Sequence, residues 1–474
     1  MRIFNRRRAG GRMRPAGNFA GDDSGNFAIV FGVALAALAL GVGYAVDTIQ
    51  LINAKSALRG AVDAAVTSTA RDLTTGSATE DEANEIVRAF LSANSTGGIL
   101  SNDGIVLDQM LMDRAAKTLQ VTAYVDVPLY FPLFGLSNVR RVSETSAALY
   151  SDKKIEVAMM LDITGSMRGQ KIKDLKAAAA NAVEALLGSQ NASNPRVRAA
   201  IIPYAEAVNT GKLADSVFVE TEGGPILPPS IDDPAPTPSA RPDNCSTERR
   251  DKDGAADFSD DGPDTIRLDN QNKRYLAQVN RDWRITRNKD GSTKCPTAEL
   301  IPLTADKQKL LDTVKDFNAD GVTAGGIAAQ WGYYMLSPKW RPAIQAAGLG
   351  TGPADYDSRK VSKVAILMTD GEFNTAFAGV PVDKKSPPQN AQQTKSRTYA
   401  ETLCTNMKNS GIEVYTIGFA LSSSEKDAAR TVLKNCASAD GSAIRHFFDV
   451  STGPELDAAF SEIIANTERL ILTQ

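Results

Sequence analysis

The apolar positions of this chain change their spacing in blocks, and each block predicts its own kind of element. Residues 27–46, FAIVFGVALAALALGVGYAV, carry no charge. At a rise of about 1.5 Å per residue, a helix of that length matches the hydrocarbon core of a bilayer. The following segment, DTIQLINAKSALRGAVDAAVTSTARDL, has no proline, and Leu51, Leu58, Val62 and Val66 fall near a seven-residue spacing. This predicts that the helix continues outward as a stalk whose apolar face packs on its own sheet or on another protein. Residues 78–95 predict a second helix. Residues 118–131 and 141–150 alternate apolar and polar with many β-branched side chains, as half-buried strands do. Residues 47–150 therefore read as a helical stalk with a small α+β domain.

From residue 153 strands and helices alternate. Strands are predicted at 155–161, 196–204, 363–368, 412–419 and 446–450. Helices are predicted at 171–187, 305–317, 324–336, 393–409 and 424–436, and over the closing LDAAFSEIIANTERLI. That alternation predicts an α/β fold with a doubly wound parallel sheet over 153–474. Residues 221–300, rich in Gly, Pro, Asp and Ser, interrupt the rhythm and read as a long insertion in the sheet domain, partly ordered by a disulfide. Loops of that length are usually functional or disordered.

The composition, 42% hydrophobic and 23% charged, is that of a folded protein, and 474 residues suit two or three domains. Six arginines lie in the first 14 residues without an acid among them, which leaves 47 basic against 56 acidic residues in the remainder. An acidic main body argues against nucleic-acid binding. The basic segment 1–26 before the apolar span orients the N-terminus toward the cytoplasm. The alternative, a solvated disordered tail, fits less well because a hydrophobic segment follows so closely. The competing reading of the span is a cleaved signal peptide, with Gly43-Tyr44-Ala45 as the cleavage site, but signal cores are shorter. Either way the rest of the chain is exported. Cys245, Cys295, Cys404 and Cys436 form no CxxC pair, and His446 is the single histidine, so a zinc site is not expected. In an exported chain they suggest two disulfides, most economically 245–295 and 404–436, the alternative being four buried thiols.

Candidate chemistry sits where two strands end. Asp162-Ile-Thr-Gly-Ser-Met follows the run IEVAMML, and Thr369-Asp-Gly follows KVAILM. Carboxylates and hydroxyls at the carboxyl ends of parallel strands are what a hard divalent cation needs. The plain alternatives are that Ser166 and Thr323 cap helices and that Asp370-Gly371 is a turn. Enzyme readings fit less well. Gly165-Ser-Met-Arg-Gly-Gln-Lys171 lacks P-loop spacing, Asp-Ile-Thr-Gly is not the aspartyl-protease Asp-Thr-Gly, and Thr164 stands where an aspartyl phosphatase needs a second aspartate. His446 has no nucleophile-elbow motif to serve. No enzymatic activity is expected.

Three segments together resemble the von Willebrand factor A domain: Asp162-Ile163-Thr164-Gly165-Ser166, Gly321-Val322-Thr323-Ala324-Gly325-Gly326 and Thr369-Asp370-Gly371. The resemblance implies a Rossmann-like fold with a metal ion-dependent adhesion site. Thr164, Ser166 and Thr323 would touch the metal, Asp162 and Asp370 would bind it directly or through water, and an acidic group of a partner protein would complete the shell. Mg2+ is the first expectation, with Mn2+ or Ca2+ as alternatives. Thr164 departs from the family's serine by one methyl group.

Ser24-Gly25-Asn26-Phe27-Ala28-Ile29-Val30-Phe31, Ala45-Val46-Asp47, VPLYFPLFGL (127–136) and Trp331-Gly332-Tyr333-Tyr334-Met335-Leu336-Ser337-Pro338 resemble TadE/TadG-like proteins of the tight-adherence (Flp) pilus. That resemblance implies a single-pass inner-membrane protein with its bulk in the periplasm, working with pilus or secretion-machine components. Val30 stands where a prepilin needs glutamate, so prepilin cleavage is not expected. The alternatives are a structural periplasmic spacer with a vestigial metal site and a general surface adhesin.

Overall fold

The computed structural model describes residues 25–75, 77–96, 104–114, 116–131, 137–151, 153–188, 190, 195–234, 240–285, 294–381, 393–421, 427–441 and 444–473. The arginine-rich segment 1–24 and residues 132–136 of the VPLYFPLFGL segment lie outside them. The chain divides into two compact units, one of residues 1–67, 84–114 and 118–148, the other of 68–83, 115–117 and 149–474.

The proline-free run after Ser24 forms one helix of 51 residues, α1 (Gly25–Thr75). Its first part carries apolar side chains with no protein cover: Ile29, Val30, Val33, Leu38 and Val42 are each more than 60% exposed. This helix is a candidate single-pass anchor or signal sequence. Farther along, Ala54, Leu58, Val62, Ala65 and Val66 are fully buried. The Asp47 carboxylate accepts the N–H groups of Tyr130 (2.9 Å) and Phe131 (3.0 Å). Helix α2 (Ala83–Ala93) and a three-stranded sheet of β1 (Val106–Asp113), β2 (Thr118–Pro128) and β3 (Val139–Leu149) complete this region. In β2, Leu119, Val121, Ala123, Val125 and Val127 are buried on one face, the period of two that its sequence shows. The apolar stripe of α1 at Leu58, Val62 and Val66 is thus covered by this chain. Strand β1 was not expected, because VLDQMLMD buries no continuous face.

The second unit is built on β4 (Lys154–Asp162), β5 (Val197–Tyr204), β6 (Val208–Asn209), β7 (Val217–Val219), β8 (Cys245–Ser246), β9 (Ile266–Leu268), β10 (Arg274–Leu276), β11 (Val279–Arg281), β12 (Ile301–Thr304), β13 (Val361–Thr369), β14 (Glu413–Phe419) and β15 (Phe447–Val450). The main sheet runs in the order β15-β14-β13-β4-β5-β6-β8, with β12 also on β5. From β15 to β5 all neighbours are parallel.

Alternate residues of β4 point to opposite faces, and helices cover both. Ala158 and Met160 pack with α5 (Gly325–Leu336), α7 (Gln393–Asn409) and α8 (Asp427–Cys436). Val157, Met159 and Leu161 pack with α3 (Gln170–Leu187), α4 (Lys307–Lys315) and α9 (Gly453–Thr473). Double-sided burial explains why these strands read as continuous apolar runs. Each large aliphatic side chain so covered contributes roughly 1.5–3 kcal/mol. A short α6 (Arg341–Ala346) precedes β13.

The described part of 221–300 is ordered and belongs to this unit. Strand β8 extends the main sheet, β11 pairs β7, and β9 pairs β10. The Cys245–Cys295 and Cys404–Cys436 disulfides are both formed. Beyond the disulfide, buried ion pairs hold this region: Arg250 with Glu220 (2.6 Å) and Asp282 (2.5 Å), and Arg281 with Asp243 (2.6 Å).

Candidate functional site

The chain leaves β4 on the β5 side, and β13 returns on the other side of β4. The carboxyl ends of β4 and β13 therefore flank the switch point of the sheet, where ligands of open parallel sheets sit. Asp162 is the last residue of β4, and Asp370 follows the last residue of β13. Both are fully buried.

After Asp162 the chain turns through a 3-10 segment, Gly165–Met167, with Thr164 buried and Ser166 exposed. Thr164 Oγ1 lies 2.9 Å from Ser166 Oγ, and the Ser166 hydroxyl donates to Asp370 Oδ1 at 2.5 Å, across 204 residues of sequence. Asp162 is oriented by two donors, the Thr164 N–H on Oδ1 (2.9 Å) and the Thr369 hydroxyl on Oδ2 (2.7 Å). Burial, with the Asp370 charge nearby, pushes the Asp162 carboxyl up to about 6.

The threonine loop joins through its backbone. Gly165 N–H donates to Gly321 O and Asp320 N–H to Ile163 O, each at 3.0 Å. Gly321 adopts φ +80°, a conformation that favours glycine. Thr323 donates its N–H to Asn374 Oδ1 (3.0 Å), and its carbonyl accepts the N–H groups of Asn374 (2.9 Å) and Thr375 (3.2 Å). The loop after Asp370 is thus clasped to the threonine loop. Gly325 allows this approach, since a Cβ there would meet the Phe373 ring at 2.3 Å.

Asp162, Thr164, Ser166 and Asp370 are brought together by their side chains, and Thr323 by its loop. The capping alternatives do not hold. The N-cap of α3 is Gly169 and that of α5 is Ala324, neither with a side-chain cap. The donor set, two carboxylates and neighbouring hydroxyls with no sulfur or imidazole, is chemically suited to Mg2+, Mn2+ or Ca2+. His446 bonds Glu413 Oε1 (2.7 Å) at the start of β14. By the register of β13 with β14, that is five residues from the level of Thr369, roughly 17 Å along the strands. The cluster of Asp243, Cys245 and Cys295 offers no thiolate, because its sulfurs form the disulfide.

Two groups were missed in the sequence. Lys171, in the first turn of α3, places Nζ 2.6 Å from Asp370 Oδ2. Glu248, in the 221–300 region, accepts the Phe377 N–H at 3.2–3.3 Å. Arg284 donates to the carbonyls of Phe377 (2.7 Å) and Val380 (3.2 Å), so this region grips the loop that follows Asp370. Burial pushes Glu248 up to about 7, against the partial pull of its backbone hydrogen bond and of Arg250. A carboxyl raised on folding contributes stability below its ordinary range and loses it as pH rises through about 7. Glu248→Gln is therefore expected to flatten the fall in unfolding free energy between pH 5 and pH 8 by on the order of 2–3 kcal/mol, measured by urea titration at both values. An unchanged pH profile would contradict this assignment.

No protein-family model and no curated protein matches the sequence. Among solved structures, the chain is similar to the von Willebrand factor domain of the type V pili tip protein Mfa5 from Porphyromonas gingivalis, with 13% identity over 68% of this chain and 97% of that one, at a TM-score of 0.35. It is also similar to the pilus adhesin SpaC from Lactobacillus rhamnosus GG, with 11% identity over 77% of this chain and 34% of that one, at a TM-score of 0.35. The PilB minor pilin from Streptococcus sanguinis aligns at 12% identity over 77% of this chain and 79% of that one, at a TM-score of 0.34. Alignments at this level place no residue of the site.

Proposed function

We propose that this chain is a membrane-anchored protein whose von Willebrand A-type domain, doubly wound in the Rossmann-like manner, binds an acidic side chain of a protein partner through a divalent cation. Asp162, Thr164, Ser166, Thr323 and Asp370 would hold the cation. The observation that carries this reading is the convergence of two buried carboxylates and two hydroxyls from segments 204 residues apart, with Ser166 Oγ 2.5 Å from Asp370 Oδ1. Such a cation, when bound, offers an open position that a partner's carboxylate completes. The protein's own groups set the stage: Thr369 and the Thr164 N–H orient Asp162, and the Asn374 contacts hold the threonine loop against the strand ends.

The exposed apolar helix supports an inner-membrane anchor with the N-terminus in the cytoplasm, and the two disulfides suit an oxidising periplasm. With the sequence resemblance to TadE/TadG-like proteins, these features support a role in assembly and adhesion of a tight-adherence pilus, as a binding protein rather than an enzyme. The test is attachment of cells and their surface pili with the chain deleted, restored as wild type, or restored as Asp162→Asn. Equal membrane levels, with attachment at the deletion level in the variant, are expected. Wild-type attachment by the variant would favour a spacer whose metal site is vestigial.

A further inference from the structure

We propose that Lys171 is a built-in counter-cation of this site, one that weakens divalent-cation binding by the free protein and couples it to an anionic ligand; this rests on the metal-site reading above. The Lys171 ammonium contacts Asp370 Oδ2 at 2.6 Å, while Oδ1 of the same carboxylate takes the Ser166 hydroxyl. The lysine side chain is 30% exposed and Asp370 is buried, so the ammonium enters from the solvent side. Lys171 lies in the first turn of α3, where no acidic residue is present. A cation at a helix N-terminus is disfavoured by the helix dipole. Asp370, not the helix, accounts for its position.

The coupling comes from the charge balance of the site. Asp162 and Asp370 supply two negative charges when ionised, and Lys171 offsets one of them. A divalent cation then leaves an excess positive charge beside two buried carboxylates, with an ammonium next to it. Like charges at such range repel strongly in a partly desolvated site. Lysine's flexible four-carbon stem and its partial exposure let the ammonium retreat toward water. An anionic carboxylate at the open position removes the excess charge. Lys171 therefore penalises the cation alone more than the cation together with a carboxylate, and so favours occupancy only when an acidic partner arrives.

The test is Mn2+ titration of the full chain in nonionic detergent, with and without acetate as the carboxylate probe, for wild type, Lys171→Met and Lys171→Arg. Lys171→Met is expected to bind Mn2+ at least about five-fold tighter than wild type and to respond less to acetate. Lys171→Arg keeps the charge and is expected to stay within about two-fold of wild type. It also guards against a fold defect in the methionine variant. Equal or weaker affinity in Lys171→Met, with the near-ultraviolet circular dichroism of wild type, overturns the proposal and leaves the metal site standing. Absence of Mn2+ binding in all three proteins up to about 10 mM overturns the metal site itself, and this inference with it.

Discussion

Replacing Arg249 by alanine is expected to destabilise the second unit by about 3–5 kcal/mol, enough to threaten folding at growth temperature. The Arg249 side chain is fully buried. Its Nη1 donates to the carbonyls of Asp261 (2.6 Å) and Ala277 (3.0 Å), its Nη2 to the Ser259 carbonyl (2.7 Å), and its Nε lies 2.8 Å from Asp257 Oδ2. The guanidinium also sits 4.9 Å from the centre of the Tyr334 ring, which stacks on Trp340. Truncation would leave three carbonyls unpaired, weaken the neutralisation of Asp257 and open a cavity against the aromatic cluster. Lysine cannot replace it, since one ammonium does not reproduce the planar fork. Urea unfolding of the full chain in detergent, wild type against Arg249→Ala, measures the effect; a loss below about 1 kcal/mol would show that the 221–300 region is an independent appendage.

Asp162→Asn is expected to leave the fold intact and lower divalent-cation affinity by at least about 100-fold. The amide oxygen can still accept the Thr164 N–H, and the amide N–H can donate to Thr369 Oγ1. The Thr369 hydroxyl retains the Gly371 carbonyl at 3.1 Å as its acceptor. One of two like charges in a buried site disappears, so stability without metal is expected to hold or rise. What is lost is half of the negative charge that attracts the cation. Even groups that only orient metal ligands typically cost ten- to a hundred-fold when removed, roughly, and Asp162 is proposed as a ligand itself.

The parallel core was legible because burial on two faces leaves continuous apolar runs such as VAMML and VAILM. The site was legible because its carboxylates end those same strands, so locating the strands located Asp162 and Asp370. The 221–300 region was not. Its strands are two or three residues long, and beside a few apolar side chains it buries arginines, aspartates and glutamates, which in sequence resemble a solvated loop. Only the fold pairs Arg250 with Glu220 and Asp282, 30 and 32 residues away. Lys171 was hidden for a different reason. In KIKDLK it resembles any surface lysine on a helix, and its contact with Asp370 spans 199 residues. Glu248 likewise owes its character to the burial that the fold gives it, and the Phe377 N–H it accepts lies 129 residues on.

Whether Asp162 and Asp370 belong to one divalent-cation site is tested most directly by calorimetric titration. Mg2+, Mn2+ and Ca2+ are titrated into the full chain in nonionic detergent, beside the Asp162→Asn variant. Saturable binding at one site in the wild type, strengthened by acetate and lost in the variant, is the predicted result. Binding that persists unchanged in the variant, or no binding by the wild type even with acetate present, would contradict it.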